Sequence, residues 1–306
     1  MKSWLIVRAD EEEQLAMAAT SGAGVVVADC GYAASDRKKE EARMAARDWL
    51  SSHRQQVLAQ GKFERWARIS PIHDPAWRAD LEVVMQAGPD GLLLPECSGP
   101  DQLQQLAAEI YEVEQRNGVA HGATRIVPQV GTRAGDAMRI RAFAEESHPR
   151  LAGLTWDSRA LARSLGARRT RDGRGVFTDA MQQVRASVLL TAHARGVMAI
   201  ESAHAVSKDV EGAENAAKAA RADGFTGMMA RNPAHLAAIN KAFEPTGDEL
   251  ADAQAIVATF ASNPGQESVA HKGQRIGAPE LARARRLLGQ EDAPGMSTLQ
   301  EARPIV

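Results

Sequence analysis

The hydrophobic pattern of this chain alternates between two kinds of segment. Short apolar runs, most of them without polar alternation, are separated by longer stretches with helical spacing. Strands that are buried on both faces have this uninterrupted apolar character, because neither face meets water. The eight predicted strands are Trp4–Val7, Val25–Ala28, Phe63–Ile69, Gly91–Pro95, Ile126–Val130, Leu151–Trp156, Val197–Ile200 and Phe225–Met229.

The stretches between the runs have the spacing of amphipathic helices. In DQLQQLAAEIYEVEQRNG, the residues Leu103, Leu106, Ile110 and Val113 form one apolar stripe, and Gly118 marks a helix stop. The segment DVEGAENAAKAARADG has a similar pattern and also ends at a glycine. Eight strand–helix alternations predict parallel strands joined by right-handed crossovers.

The alternation predicts a (β/α)8 TIM barrel over residues 1–245, followed by a C-terminal helical extension over residues 246–306. A chain of 306 residues is of ordinary length for one such barrel. A doubly wound open sheet is the alternative, but no GxGxxG motif follows the first run to support dinucleotide binding. We expect the extension to contact a neighbouring subunit in a homo-oligomer.

Composition narrows the class of protein. Lys and Arg number 37 against 39 Asp and Glu, for a net charge of −2, which offers no reason to expect nucleic-acid binding. The two cysteines are too few for a disulfide framework and suit a reducing cytoplasm. The first residues turn acidic after four apolar ones, unlike a signal peptide, and no apolar stretch is long enough to span a membrane. We therefore expect a cytoplasmic protein without membrane or nucleic-acid partners.

Several charged residues directly follow predicted strands, where a barrel places its active-site face. Arg68 is the last charged residue of the third run, and a guanidinium can hold a carboxylate with two parallel hydrogen bonds. The alternative role of Arg68 is an ion pair with Asp29. Glu96, Asp157 and Glu201 follow other strands and are further candidates for substrate binding, although charges in such places are often only solvated.

Other reactive residue types carry weaker signals. The eight histidines show neither HxH nor HExxH spacing, so surface or packing roles are favoured over metal binding. Cys97 lies beside Ser98 at a predicted strand end, but no base is placed near it by sequence. No lysine follows a predicted strand, which disfavours an aldolase that forms a Schiff base.

Six blocks of the chain, in order and at fitting spacing, resemble the citrate lyase beta-subunit-like proteins of the HpcH/HpaI aldolase and malyl-CoA lyase group. The blocks are SWLIVRADEEEQLAMAATSGAGVVVADC, ARISPIHDPAWRADLEVVMQAGPDGLLLPE, IVPQVGT, LAGLTWDSRALARSLGAR, AHARGVMAIES and DGFTGMMARNPAHLAAINKAFEP. The resemblance implies a barrel that assembles as a homo-oligomer, such as a trimer, and that cleaves a carbon–carbon bond next to a carbonyl. It also implies a small carboxylate or acyl-CoA thioester as substrate, contacted by the arginine after strand three, here Arg68.

In that family a magnesium ion is held by a glutamate after strand five and an aspartate after strand six. In this chain, PQVGT places Gly131 at the first position and WDSRAL places Ala160 at the second, and neither side chain can bind a cation. Gly131 therefore stays a candidate for substrate contact only, and magnesium is expected from the family but doubtful here. Asp157, three residues before Ala160, is an alternative ligand.

The segment SDRKKEEARMAARDWL carries Lys39 and Arg43. In relatives, basic residues near this place can meet the phosphates of CoA, whereas the alternative is a solvated helix start. Two functions remain open. The first is an aldolase-type or citrate lyase beta-like carbon–carbon lyase homologue with an eroded magnesium site, and the second is a non-catalytic homologue retained for ligand binding or assembly.

Overall fold

The computed structural model describes residues 2–32, 35–54, 63–146 and 148–290. Eight parallel strands close into a barrel, because each strand pairs with its neighbour in sequence and β8 pairs with β1. The predicted closed barrel is confirmed, and the open sheet is excluded. The strands are β1 Ser3–Arg8, β2 Val25–Asp29, β3 Glu64–Arg68, β4 Gly91–Cys97, β5 Arg125–Val130, β6 Gly153–Trp156, β7 Met198–Glu201 and β8 Gly227–Ala230.

Helices follow the strands and cover the outside of the barrel. The apolar stripe predicted in DQLQQLAAEIYEVEQRNG is buried, and the helix that carries it ends at Arg116, two residues before Gly118. The helices are α1 Glu12–Ala18, α2 Asp36–Ser52, α3 Ala76–Val84, α4 Pro100–Arg116, α5 Ala134–Ala137, α6 Ala142–Glu145, α7 Ser158–Leu165, α8 Asp179–Arg195, α9 Val210–Asp223 and α10 Leu236–Ala242.

Side chains alternate between the inside of the barrel and the layer under the helices. Trp4 and Trp66 meet edge to face inside the barrel, with ring centroids 4.8 Å apart. A Cβ atom at Gly91 would lie 2.5 Å from the Trp66 ring, so only glycine leaves room for this packing. Arg8 on β1 is four residues beyond Trp4, and Arg68 on β3 is two beyond Trp66, so both belong to the inward-facing series.

The chain divides into two compact units, residues 1–243 and 244–306. The second unit contains α11 Gly247–Ala261, β9 Ser268–His271, β10 Gln274–Gly277 and α12 Ala278–Leu287. Besides the predicted helices it has an antiparallel hairpin that the sequence reasoning missed. Lys272 and Gly273 form its two-residue turn, both with positive φ, as tight hairpin turns require. The oligomer contact predicted for this unit stays a prediction.

Among the described residues, no helix has both the length and the apolar character needed to cross a bilayer.

Candidate functional site at the barrel mouth

Charged side chains gather where the strands of the barrel end. The register pairs Arg8 of β1 with Asp29 of β2, and Asp29 with Arg68 of β3. All three therefore lie side by side at the carboxyl-terminal end of the barrel. Asp157 after β6 and Arg231 after β8 form an ion pair at the same end. These five side chains define the mouth, which is the usual place of active sites in this fold.

Arg68 forms an ion pair with Asp29 that uses only one of its three guanidinium nitrogens. Its Nη1 donates to both Asp29 carboxylate oxygens, at 3.0 and 2.9 Å. Its Nε and Nη2 donate to no residue within the described ranges, and the side chain is 17% exposed. Burial opposes the charge of Arg68, but the adjacent Asp29 carboxylate outweighs it and raises the pKa of the guanidinium. The ion pair that was one alternative therefore exists and still leaves donors for a ligand.

Glu96 lies on the rim of the mouth rather than against Arg68. Its carboxylate accepts a hydrogen bond from Arg133 Nη2 at 2.8 Å, and His73 is 3.8 Å away. The backbone of Glu96 has φ +50°, a left-handed conformation that is uncommon for residues other than glycine. Such strain persists only where surrounding structure imposes it, and it often occurs near functional sites.

Asp157 anchors the start of α7. Its Oδ1 accepts the backbone N–H groups of Arg159 and Ala160, at 2.9 and 3.1 Å, and its Oδ2 accepts Arg231 Nη2 at 2.8 Å. Burial alone would raise the pKa of Asp157, but Arg231 and the two backbone N–H groups lower it below its ordinary value. Both oxygens of Asp157 are therefore occupied by the protein itself.

Asp157→Asn should make stability less sensitive to acid. The native pKa of Asp157 is depressed, so its stabilising contribution is present above the unfolded pKa of about 3.9 and is lost as pH falls through the native value. Asparagine retains a capping oxygen but no charge, so we expect a loss of about 1–2 kcal/mol in the free energy of unfolding at pH 7 that shrinks towards pH 3.

Urea unfolding at both pH values measures this loss. Asp101→Asn, at the exposed start of α4, is the control and should change stability by at most about 0.5 kcal/mol. An equal loss at both pH values would contradict the role of the charge.

Glu201 lies outside the mouth, and this corrects its placement among the substrate-binding residues. Along β7 the side chain of Ile200 points into the barrel, so the next residue points outward. Glu201 accepts Trp156 Nε1 at 2.7 Å and forms an ion pair with Arg185 of α8. Arg185 also pairs with Asp223 of α9 at 2.8 Å. Glu201 thus joins the barrel wall to the helix layer.

Lys39 and Arg43 of α2 are bound to acids of the neighbouring β3–α3 region. Lys39 Nζ lies 3.0 Å from Asp74 Oδ2, and Arg43 Nε lies 2.6 Å from Asp80 Oδ1. Asp80 is fully buried, so Arg43 neutralises an interior charge. These pairs give Arg43 a structural role, and the predicted contact of both residues with CoA phosphates remains untested.

Two glycines just after the ends of β5 and β2 leave little room for a side chain in this backbone. Gly131 has φ +66°, and a Cβ there would lie 2.7 Å from Val184 Cγ1. A Cβ at Gly31 would overlap the carbonyl oxygen of Ile69 at the end of β3. Contacts this short require the neighbours to shift, and at Gly31 the neighbour is backbone. Glycine at these two positions is therefore demanded by the packing.

Few side-chain oxygens at the mouth are free of contacts with other groups of the protein. Ala160 and Gly131 supply no oxygen, while the oxygens of Asp29 and Asp157 are engaged by arginines and backbone N–H groups. No group of three or more His, Cys, Asp or Glu within the described ranges is arranged to hold a metal ion. Hard cations require several free oxygen ligands, which this arrangement does not provide.

Cys97 is unsuited to act as a nucleophile. The residue is buried at the end of β4, and its Sγ donates to the Gly99 carbonyl. Burial raises the pKa of the Cys97 thiol to about 12, so the reactive thiolate is not populated at neutral pH.

Fold and mouth together define a (β/α)8 barrel protein whose strand ends carry a partly exposed arginine paired on one side with an aspartate. The chain belongs to the HpcH/HpaI aldolase/citrate lyase family, whose model matches residues 2–233. It is 27% identical over 285 residues to the citrate lyase subunit beta-like protein of Mycobacterium tuberculosis, covering 93% of each chain. It is 24% identical to the mitochondrial citramalyl-CoA lyase of Rattus norvegicus, covering 93% of this chain and 84% of that one. The structure of CitE from Mycobacterium tuberculosis in complex with magnesium, acetoacetate and coenzyme A superposes with a TM-score of 0.70 at 26% identity, covering 94% of this chain and 97% of that one.

Proposed function

We propose that this protein binds a small carboxylate, free or as part of an acyl-CoA thioester, at the barrel mouth and does so without a bound magnesium ion. Arg68 is the residue that holds the anion. The observation that carries the proposal is the geometry of its guanidinium: Nη1 is fixed by Asp29, while Nε and Nη2 have no partner among the described residues. An arginine oriented in this way has two parallel donors ready for a carboxylate.

The relatives support this class of ligand. One relative is a citramalyl-CoA lyase, and a similar solved structure contains acetoacetate and coenzyme A. Acetoacetate and the citramalyl group each carry a carboxylate as well as a carbonyl carbon, so both are anions that a guanidinium can bind. We therefore favour a divergent lyase homologue whose ligand is of this kind.

The mouth suggests what each residue contributes to such chemistry. A fixed, buried guanidinium stabilises negative charge on a carboxylate or on an enolate oxygen more strongly than water does, because it does not need to reorient. Asp29 keeps Arg68 in position and balances its charge when no ligand is bound. The Asp157–Arg231 pair supplies a second, more exposed guanidinium at the same end of the barrel, 43% accessible in its side chain.

One observation supports the non-catalytic homologue as the second candidate function. Within the described mouth, the carboxylates Asp29, Asp157 and Glu96 each accept hydrogen bonds from an arginine. None of these acids is available as a free general base, and the pKa of Asp157 is lowered rather than raised. A protein that binds the ligand without turning it over would have this arrangement.

Arg68→Ala should weaken the binding of oxaloacetate about 100-fold, because two charge-assisted hydrogen bonds are removed. Calorimetry with oxaloacetate, acetoacetate and CoA measures this, and the wild-type affinity should be the same in EDTA and in magnesium chloride. Arg116→Ala is the matched control, since Arg116 pairs with Glu82 on the exposed surface of α4.

The substitution leaves the Asp29 carboxylate buried without its arginine, so Arg68→Ala is also made in an Asp29→Asn background to separate binding from stability. Unchanged oxaloacetate affinity in a folded Arg68→Ala variant would refute the role of Arg68. Cleavage of citramalyl-CoA or malyl-CoA in EDTA supports the lyase, whereas binding without cleavage under either condition supports the non-catalytic homologue. A strict requirement for magnesium would overturn the metal-free proposal.

A further inference from the structure

Arginine is concentrated in one short part of the chain. The segment SRALARSLGARRTRDGRG begins with α7 and continues into the loop that follows it. Its side chains line a cavity of about 520 Å³ together with residues of the β7–α9 loop. We call this cavity the arginine pocket. Its charged and titratable residues are Arg159, Arg163, Arg168, Arg169, Arg171 and His204.

The arginine pocket has no acid in its lining. Arg159, Arg163, Arg168 and Arg169 make no side-chain hydrogen bond or ion pair with any described residue. Elsewhere in the barrel unit, arginines typically face a carboxylate, as Arg116 faces Glu82. Several unpaired positive charges around one cavity repel each other, and a bound anion of high charge would relieve that repulsion.

The arginine pocket lies next to the mouth. Helix α7 starts directly after Asp157, the carboxylate that pairs with Arg231. Arg159, which lines the pocket, is two residues after Asp157 in the first turn of α7. The other wall of the pocket, His204 to Val206, follows the carboxyl end of β7, the strand beside β6. The pocket and the anion site at Arg68 are therefore neighbouring sites on one end of the barrel.

We propose that the arginine pocket binds the clustered phosphate groups of a small molecule. Guanidinium groups match phosphate oxygens in geometry and stay charged at all relevant pH values. The cavity volume is in the range of small-molecule sites. The chain as a whole has a net charge of −2, so the positive charge is confined to one pocket rather than spread along a nucleic-acid-binding surface.

The phosphate groups could come from either of two kinds of molecule, and one experiment distinguishes them. One is a free di- or triphosphate. The other is the phosphate-bearing end of an acyl-CoA whose acyl end lies at Arg68, and this source rests on the proposed function. In that case the pocket takes the role that the sequence reasoning gave to Lys39 and Arg43, whose charges are already paired with Asp74 and Asp80.

The test compares two double variants that remove the same charge. Arg163→Gln/Arg169→Gln alters exposed residues of the arginine pocket, and Arg78→Gln/Arg116→Gln alters exposed, ion-paired arginines of α3 and α4. Calorimetry measures binding of sodium triphosphate, CoA, pantetheine and oxaloacetate to each protein. Circular dichroism and melting temperature verify that both variants are folded.

We expect the pocket variant to bind triphosphate at least about tenfold more weakly than wild type, and the control variant to bind it within about twofold. Pantetheine, which has no phosphate, should not distinguish the proteins. Competition between CoA and triphosphate identifies the acyl-CoA source, and triphosphate binding without competition identifies the free-phosphate source. Both results support the pocket.

Equal triphosphate affinity in the pocket variant and wild type would overturn the proposal, as would displacement of triphosphate by a short RNA that binds more tightly. Oxaloacetate binding distinguishes a failure of this proposal from a failure of the function proposed for Arg68. If oxaloacetate fails to bind wild type while triphosphate binds and responds to the substitutions, the function at Arg68 fails and the arginine pocket stands.

Discussion

Arg150→Ala is expected to lower the free energy of unfolding by about 3–5 kcal/mol, because it leaves a buried carboxylate without its counter-charge. Arg150 forms a two-pronged pair with Glu114 of α4, at 2.7 and 2.6 Å, and also donates to the Thr124 carbonyl. The Glu114 side chain is only 1% exposed and accepts the backbone N–H groups of Gly122 and Thr124. One carboxylate therefore ties α4 to the loop before β5.

Urea unfolding at pH 7 measures this loss, and Arg116→Ala on the exposed surface should change stability by no more than about 0.5 kcal/mol. Glu114→Gln combined with Arg150→Met should recover part of the loss, because no unpaired charge remains buried. Burial opposes ionisation of Glu114, but Arg150 and the backbone donors lower its pKa. The contribution of the pair is thus present above the unfolded pKa of about 4.3 and is lost as pH falls through the native value. A loss below about 1 kcal/mol for Arg150→Ala would show that the pair is not the main support of this region.

Gly131→Ala should cost about 2–4 kcal/mol of stability, from a left-handed backbone and from a methyl group forced against the helix layer. The backbone at Gly131 has φ +66°, and the added Cβ would lie 2.7 Å from Val184 Cγ1 and 3.1 Å from Ile140 Cδ1. Two controls separate these contributions. Gly196 has φ +65° with open space around it, and Gly135 has open space without positive φ.

We expect Gly196→Ala to lose about 1 kcal/mol and Gly135→Ala to lose little or nothing, measured by the same urea unfolding. Equal losses at Gly131 and Gly196 would refute the steric part of the argument.

Much of the fold was predictable because burial on both faces leaves a direct trace in the sequence. The third predicted strand, Phe63–Ile69, is observed as Glu64–Arg68, and the seventh, Val197–Ile200, as Met198–Glu201. Arg68 was predicted at a strand end because it lies at the end of the third run, shortly before the proline loop that begins at Ser70. Boundaries moved by a residue or so because hydrogen bonding, rather than hydrophobicity, defines where a strand stops.

Two further features of the site, the orientation of Glu201 and the helix-capping role of Asp157, were not predicted. Counting the alternation along β7 from the inward-facing Ile200 would have turned Glu201 away from the mouth. The position of Asp157 directly before a helical segment is the pattern of an N-cap, which would have reserved one of its oxygens for backbone N–H groups. The N-cap pattern is local, whereas the orientation of Ile200, and with it that of Glu201, is known only from the closed barrel.

The sequence by itself determined the strand and helix order, and with it that Asp29, Arg68 and Asp157 meet at one end of a closed barrel. Only the tertiary structure decided which of these charges are paired. The partners Glu114 and Arg150, Asp157 and Arg231, and Glu96 and Arg133 are far apart along the chain. The reason is physical: hydrophobic periodicity is a property of neighbouring residues, whereas an ion pair depends on distances of a few ångströms between side chains that folding alone brings together.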